Sequence, residues 1–219
     1  MATVKPGIVG YFTGKIGEVV LSRWKDINVG KNTPRKSTKE ASLEQKDQRL
    51  RFGVVTKFLG NLSDVIRFGY QSESPIRTKM NDAVSYHLDN AVTGVYPNYA
   101  IDYTKVSLSD PNSKQTIDSG LAPKAQPIAD ATIEITWQIF DRATGITLPT
   151  DRLYLIFYSL NRNKFILYNG VAARSELSYK AELPRIFTGD KLQGYMFFVS
   201  EKGKASSYTD NLGQFTVLP

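Results

Sequence analysis

Histidine, cysteine and paired carboxylates are the side chains that most often carry out catalysis, and this chain offers few of them. His87 is the single histidine, and the 219 residues include no cysteine. A zinc hydrolase needs several His or Cys ligands, and a Cys-His or Ser-His-Asp mechanism needs a histidine beside its nucleophile. His87 falls on the apolar side of a predicted helix, which favours a core histidine. The sequence therefore predicts a protein that is not an enzyme, with no catalytic residues, cofactor or metal site.

A short glycine-rich run, Gly10 to Lys15, resembles a phosphate-binding loop at first sight. A Walker loop needs four residues between its glycines and a Ser or Thr after the lysine. Here three residues separate Gly10 from Gly14, and Ile16 follows the lysine. The run therefore favours a structural turn, although backbone N–H groups in such a turn can still hold an anion.

Four aspartates lie beside turn or strand-end signals, where Asp commonly binds its own backbone: Asp102, Asp141, Asp151 and Asp190. Glycosidase chemistry would require two of them to meet by the fold alone. The chain has no EF-hand spacing for calcium. The sequence thus favours structural roles for these carboxylates.

The basic N-terminal segment is the strongest candidate for a functional site, because the positive charge of the chain is concentrated there. Residues 1 to 60 hold twelve Lys or Arg and five Asp or Glu, whereas the remainder holds sixteen of each. Clustered cations attract phosphates, and exposed aromatic rings beside them can stack on bases. The residues predicted to contact nucleic acid or another partner are Lys25, Lys31, Arg35, Lys36, Lys39, Arg49, Arg51 and Trp24.

Two interpretations of this basic segment stay open at the level of sequence. In one, it contacts phosphates or another subunit. In the other, it is a solvated charged loop with Trp24 packed inside a hairpin. The chain has no zinc finger, RNP pattern or GXXG clamp, so any binding to nucleic acid would follow the backbone, depend on salt and have little sequence preference.

The elements that must position these residues begin with a hairpin. Residues 18 to 24 and 27 to 31 read as two strands joined at Lys25-Asp26, and a polar, proline-marked arm follows over residues 32 to 41. Ser42 and Gln45 form a capping-box signature for a helix that ends near Gly60, with apolar residues at helical spacing: Leu50, Val54, Val55, Phe58 and Leu59. We expect a short helix over residues 62 to 68 and a third from about Pro75 to a C-terminal cap at Gly94.

After residue 101 the pattern changes to that of strands. Alternation of Ile133, Ile135, Trp137 and Ile139 with polar residues describes a strand with one buried face. Further strands are expected at residues 105–108, 152–160, 164–168, 176–183, 191–200 and 214–218. About seven short strands predict an immunoglobulin/fibronectin-like antiparallel β-sandwich, with Trp137 as its core aromatic. The fold class is α+β, with a basic hairpin, arm and helical region at 1–100 and the sandwich domain at 101–219.

Several motifs resemble those of a family of about two hundred residues from Bacteroidota that is catalogued as being of unknown function. They are GxxGxFxGKIGxVV at residues 7–20, WKDI at 24–27, PRK at 34–36, QRLRF at 48–52, YPN at 96–98 and IDY at 101–103. The resemblance spans nearly the whole chain and includes its β-rich remainder. It implies no known activity, so it assigns no site residues.

Three functions follow as hypotheses. The first is a structural protein that assembles with itself through its arm and hairpin, as virion, tail or filament subunits do. The second is binding of nucleic acid or another polyanion by the basic segment. The third is recognition of carbohydrate or peptide by sandwich loops at residues 161–163 and 202–204, with rings from Tyr158, Tyr168 and Tyr208.

The chain also carries signals about its location. Its first residues lack an apolar run of signal-peptide length, and no stretch approaches the roughly 18 apolar residues that span a bilayer. We therefore expect a homo-oligomer without a membrane span, located in the cytoplasm or in a virion or similar assembly.

Overall fold

A small antiparallel sheet opens the chain in the computed structural model, which describes residues 2–4, 13–24, 27–35, 38–71, 76–114, 116–142 and 145–219. Its strands are β1 (Ala2–Val4), β2 (Gly14–Ile16), β3 (Val19–Trp24) and β4 (Ile27–Asn32), in the order β1-β4-β3-β2. The predicted hairpin is confirmed, since β3 pairs with β4 from Val19 opposite Asn32 to Trp24 opposite Ile27. Its turn at Lys25-Asp26 lies outside the described residues.

Three helices follow: α1 (Leu43–Leu59), α2 (Ser63–Gly69) and α3 (Lys79–Asn90). The predicted capping box is present, because the Gln45 N–H donates to Ser42 Oγ at 3.4 Å and the Ser42 N–H donates to Gln45 Oε1 at 3.3 Å. The predicted apolar face of α1 is correct for Val55, Phe58 and Leu59, which are buried, and wrong for Leu50, which is 40% exposed. Leu50 belongs to the N-terminal half of α1, most of which is exposed.

The third helix is shorter than predicted. It begins after Thr78, whose hydroxyl oxygen accepts the Asn81 N–H at 3.1 Å, whereas Pro75 lies outside the described residues. The predicted cap at Gly94 is wrong, because the helix ends at Asn90 and a hairpin of β5 (Val92–Val95) and β6 (Asn98–Ile101) follows. β-branched residues favour the strand there. At Gly94 a Cβ would lie 2.2 Å from the Asn98 carbonyl oxygen.

Seven strands then form a sandwich of two antiparallel sheets. They are β7 (Leu121–Ile128), β8 (Thr132–Gln138), β9 (Arg152–Ser159), β10 (Lys164–Ala173), β11 (Ser178–Glu182), β12 (Lys191–Val199) and β13 (Asp210–Thr216). One sheet has the order β11-β8-β7 and the other β10-β9-β12-β13. Three strands facing four in this order give the predicted immunoglobulin/fibronectin-like sandwich.

Among the strands predicted after residue 101, one is wrong, and one strand of the sandwich was not predicted. Residues 105–108 form no strand. A one-turn 3-10 helix (Tyr103–Lys105) ends at Lys105, and Asp102 Oδ1 accepts the Thr104 N–H at 3.0 Å at its start. The missed strand is β7, whose sequence contains Pro123 and Pro127. Prolines are tolerated at a sheet edge, and β7 is the edge strand of its sheet.

Two hydrophobic cores lie on opposite faces of the four-stranded sheet. The first fills the space between the two sheets and contains Trp137, which is 3% exposed and confirms its predicted place in the core. The second packs the three helices onto the outer face of the same sheet. There the Phe58 ring of α1 lies 5.3 Å from Tyr158 and 5.1 Å from Phe165. The helical layer and the sandwich therefore share a core, and the domain division at residue 100 stays a prediction.

Candidate functional site

The N-terminal sheet stands outside both hydrophobic cores. Among the described side chains of β2, β3 and β4, only Asn28 is buried, and none belongs to either core. Side chains of successive residues in a strand point to opposite faces, so this sheet presents two different surfaces.

One surface, here called the apolar face, carries Ile16, Val19 and Leu21 where β2 pairs with β3, and the exposed Arg23 lies on the same side farther along β3. The register places Ile16 opposite Val19 and Gly14 opposite Leu21. Ile16 is 64% exposed and Val19 is 40% exposed. Two adjacent aliphatic side chains are thus open to water on one side of the sheet.

The opposite surface, here called the basic face, carries the exposed Lys15, Lys31 and Trp24 around four half-buried residues: Val20, Ser22, Ile27 and Val29. Lys15 and Lys31 flank Val20 from the two neighbouring strands, and Trp24 follows Val20 by four residues on the same face. Both lysines are exposed and form no ion pair within the part of the chain that the structure describes. Trp24 is 48% exposed, while its indole N–H donates to the Ile76 carbonyl at 3.0 Å.

A pocket of about 510 Å³ lies at the end of this sheet. It is lined by Lys15, Gly17, Glu18, Asn32, Thr33 and Arg35. The Thr33 N–H and hydroxyl both donate to the Glu18 carbonyl, at 2.7 and 3.0 Å, and so tie the end of β4 to the β2–β3 turn. Arg35 Nη2 lies 3.9 Å from Glu18 Oε1 in a highly exposed pair, which adds little stability. Arg35 therefore supplies a further cation beside Lys15.

The structure brings together only part of the predicted contact set. Lys31, Arg35 and Trp24 lie on or beside the sheet, whereas Lys25 and Lys36 lie outside the described residues. Lys39 is exposed in the arm.

The two predicted arginines of α1 are separate from the sheet. Arg49 is exposed on the helix, while Arg51 Nη2 donates to the Leu88 carbonyl at 3.1 Å and so ties α1 to α3. Lys15 was not among the predicted contact residues. It lies in β2, whose three residues are too few to show the alternation of a strand. A contact role for all these residues stays a prediction.

His87 has the environment of a core residue. It is fully buried, and its Nδ1 lies 2.7 Å from the Ala83 carbonyl oxygen. Burial lowers the pKa of the imidazole. Within the described ranges, no group of three or more His, Cys, Asp or Glu side chains could hold a metal ion.

The four aspartates singled out by sequence serve separate parts of the fold. Asp102 caps the short 3-10 helix after β6, and Asp141 is exposed. Asp190 Oδ2 accepts hydrogen bonds from Ser159 Oγ at 2.8 Å and Arg162 Nε at 2.7 Å. Asp151 belongs to a buried ion pair. None of these contacts pairs two of the four carboxylates in a way that suits glycoside hydrolysis.

The loops suggested for carbohydrate or peptide recognition offer few free aromatic rings. Tyr158 is buried, and its hydroxyl donates to Asn163 Oδ1 at 2.9 Å. The Tyr168 hydroxyl donates to the Glu182 carbonyl, and its ring packs against Phe157. Tyr208, at 50% exposure, is the most open of the three.

A buried charged cluster at the sandwich has no counterpart among the predicted sites. Arg174 is 3% exposed and its Nε lies 3.3 Å from Asp151 Oδ2, while its guanidinium lies 4.1 Å from the Phe198 ring centroid. Burial raises the pKa of Asp151, and burial raises the pKa of Asp210 to about 6 against the opposing effect of Arg174. Single Asp and Arg residues between strands carry no sequence signal for such a cluster.

No helix in the described ranges combines the length and the apolar character needed to cross a bilayer.

Comparison with known proteins gives one match over nearly the whole chain and several partial ones. The Family of unknown function (DUF6266) matches residues 11–213. No curated protein matches the chain. Among solved structures, a crystal structure of titin domains is 13% identical with a TM-score of 0.37, covering 48% of this chain and 33% of its own length. The fn3 domain of the human collagen alpha-1(XX) chain is 8% identical with a TM-score of 0.33, covering 50% of this chain and 93% of that domain.

Proposed function

The chain belongs to the Family of unknown function (DUF6266), and we propose that it is a non-enzymatic structural or interaction protein that assembles with copies of itself. The contact is the apolar face of the N-terminal sheet. The sandwich and the helices packed on it provide the folded body of each subunit. Virion, tail and filament proteins form assemblies from subunits of this kind.

The observation that carries the proposal is the exposed Ile16–Val19 pair. Cross-strand aliphatic pairs stabilise a sheet when something covers them, and exposed apolar clusters often mark interaction sites. β2 also lies at the edge of its sheet, and no described strand pairs with its outer side, which suits the addition of a partner strand. The sheet therefore has both a side and an edge suited to association.

The distribution of charge favours a second copy packed face to face. Lys15 and Lys31 point away from the apolar face, and Arg23, the exposed cation on that side, lies four positions along β3 from Val19. Two sheets that pack on each other lie about 10 Å apart, so the lysines of both copies would remain on the outside of the pair. Pairing of two β2 edges would instead bring the two Lys15 residues close together, which is unfavourable for like charges.

The exposed area of Ile16 and Val19 determines how much free energy their burial contributes to assembly. Full burial of an aliphatic side chain contributes about 1.5–3 kcal/mol, so covering the open parts of Ile16 and Val19 contributes about 2 kcal/mol per copy. A symmetric contact uses both copies and gains about 4 kcal/mol before the cost of association. Loss of this contribution weakens assembly by about a thousand-fold.

The test is a double variant, Ile16→Thr with Val19→Thr, which keeps β-branched side chains but makes them polar. Light scattering over a concentration series should show a wild type that grows in mass and a variant that stays smaller. The matched control is Ile186→Thr with Val95→Thr, since these side chains are 62% and 77% exposed elsewhere. Electron microscopy of the wild type shows the form of the assembly.

Two results would contradict the proposal. One is a wild type that remains monomeric at high concentration. The other is an equal loss of assembly in the Ile186/Val95 control, because this would mean that exposed aliphatic side chains in general, and not the apolar face, drive association.

A further inference from the structure

We infer that the basic face of the N-terminal sheet binds single-stranded nucleic acid, with Lys15 and Lys31 on phosphates and Trp24 stacked on a base. This function goes beyond the proposed self-assembly and uses the opposite side of the same sheet. It also gives a role to the charge asymmetry of the chain, which self-assembly through the apolar face leaves unexplained.

Two exposed lysines give the basic face its charge. Lys15 and Lys31 lie on strands that flank β3, about 10 Å apart across the sheet. Neither forms an ion pair with any residue that the structure describes. Arg35 adds a third cation at the adjoining pocket. Glu18 is the one acidic residue among those that line this pocket, so the cations outnumber it there. Lysines release counterions when they meet phosphates, which favours binding to a polyanion.

Trp24 supplies an exposed aromatic ring on the same face as the lysines. It lies four positions after Val20, so its Cα is about 13 Å along the strand from the row that holds the lysines. The hydrogen bond to Ile76 holds the indole in place, while 48% of the residue is exposed. A ring that is already fixed loses little entropy when a base stacks on it. Trp137, the other tryptophan, is buried and cannot take this role.

This arrangement favours a single strand over other polyanions. Bases in a duplex are already stacked on each other, so a duplex offers the indole no free base face. An anionic membrane would need several apolar side chains beside the cations. Among the described residues of this face, however, Val20, Ile27 and Val29 are half-buried, and Trp24 is the one large apolar residue that is exposed, while Ile16 and Val19 lie on the opposite face.

The experiment is fluorescence anisotropy of a labelled oligothymidine of about 20 nucleotides, longer than the sites of common single-strand binders. The full-length wild type should bind at low salt. In the Lys15→Ala/Lys31→Ala variant, the slope of log K against log salt should be shallower by about 1.4, because each lysine that neutralises a phosphate contributes about 0.7 to the slope. The matched control, Lys164→Ala/Lys202→Ala, removes two exposed lysines of the sandwich and should leave the slope unchanged.

Stacking has its own readout. Trp24→Ala should weaken binding by about ten-fold or more, whereas Trp24→Phe should retain part of the affinity because it keeps a ring. The oligonucleotide should also quench the tryptophan fluorescence of the wild type. It should not quench that of Trp24→Phe, in which the buried Trp137 is the remaining tryptophan.

Several outcomes would overturn the inference. They are the absence of binding at low salt, an equal slope change in the lysine control, and heparin, duplex DNA or anionic phosphatidylserine vesicles binding as tightly as the single strand. The Ile16→Thr/Val19→Thr variant separates this inference from the proposed function. It should still bind the oligonucleotide while it fails to assemble, so each claim can fail without the other.

Discussion

Asp210→Asn should make the protein more stable at neutral pH. Asp210 begins β13, and its Oδ2 is buried without a hydrogen-bond partner in the described part of the chain. Burial raises the pKa of this carboxyl from its ordinary value of 3.8 to about 6, although the Gly120 N–H and Arg174 act in the opposite direction. Folding therefore shifts the protonation equilibrium of this side chain toward its uncharged form.

The sign of the pH dependence follows from this raised pKa. The contribution of Asp210 to stability is fully present below pH 3.8, the ordinary pKa, and is lost as the pH rises through about 6. The difference between the two pKa values corresponds to about 3 kcal/mol, which partial access of solvent reduces to about 2 kcal/mol. Asparagine keeps the shape and cannot ionise, so it should avoid this loss.

The assay is urea unfolding of wild type and Asp210→Asn at pH 4 and pH 7. The free energy of unfolding should differ little between the two proteins at pH 4, and the variant should be more stable by about 2 kcal/mol at pH 7. Asp141→Asn, at an exposed site, serves as the control and should change stability equally at both pH values. An Asp210→Asn effect that is the same at pH 4 and pH 7 would refute the reasoning.

Three further predictions test the fold. Gly53→Ala should stabilise α1 by about 0.5–1 kcal/mol, because a Cβ there meets no atom within 4 Å. Gly69→Ala is its control and should destabilise, since its Cβ would lie 2.0 Å from a carbonyl oxygen. Phe58→Ala should cost about 3–5 kcal/mol and shift circular dichroism and tryptophan fluorescence transitions together, because helices and sheet share a core. Asp151→Ala should cost about 3–5 kcal/mol by leaving the buried Arg174 unpaired, and Arg174→Met in the same chain should recover part of it. Each is measured by urea or thermal unfolding.

Each of these predictions has an outcome that contradicts it. A lower melting temperature for Gly53→Ala would mean that something covers that face of α1. For Phe58→Ala, a helical transition that shifts without the fluorescence transition would mean two independent domains. A cost for Asp151→Ala no larger than that of Asp141→Ala would mean that the ion pair is not truly buried.

The elements with strong local signals could be predicted from sequence, and those set by tertiary contacts could not. Ser42 and Gln45 predict the start of α1, because the two partners of the capping box lie only three positions apart in the sequence. Alternation around Trp137 likewise reveals β8. β7 gives no such signal, since Pro123 is acceptable in it only because the strand lies at an edge. The end of α3 was misplaced because Gly94 suits a helix cap and a hairpin equally well, and its β-branched neighbours decide for the hairpin.

The candidate site was predictable in part for a similar reason. Lys31, Arg35 and Trp24 could be chosen from charge and aromatic content alone. Which face each side chain occupies depends on pairing with β2, a strand of three residues with too little pattern to recognise. The exposed Ile16–Val19 pair follows from the same register, so the apolar face could not be foreseen either.

The most direct test of self-assembly through the apolar face is hydrogen exchange of the wild type at low and high protein concentration. The proposal predicts slower exchange in β2 and β3 at high concentration, because a second copy then covers Ile16 and Val19. Exchange in the β5–β6 hairpin, which carries the exposed Val95, should not change. Equal exchange of β2 and β3 at both concentrations would contradict the proposal.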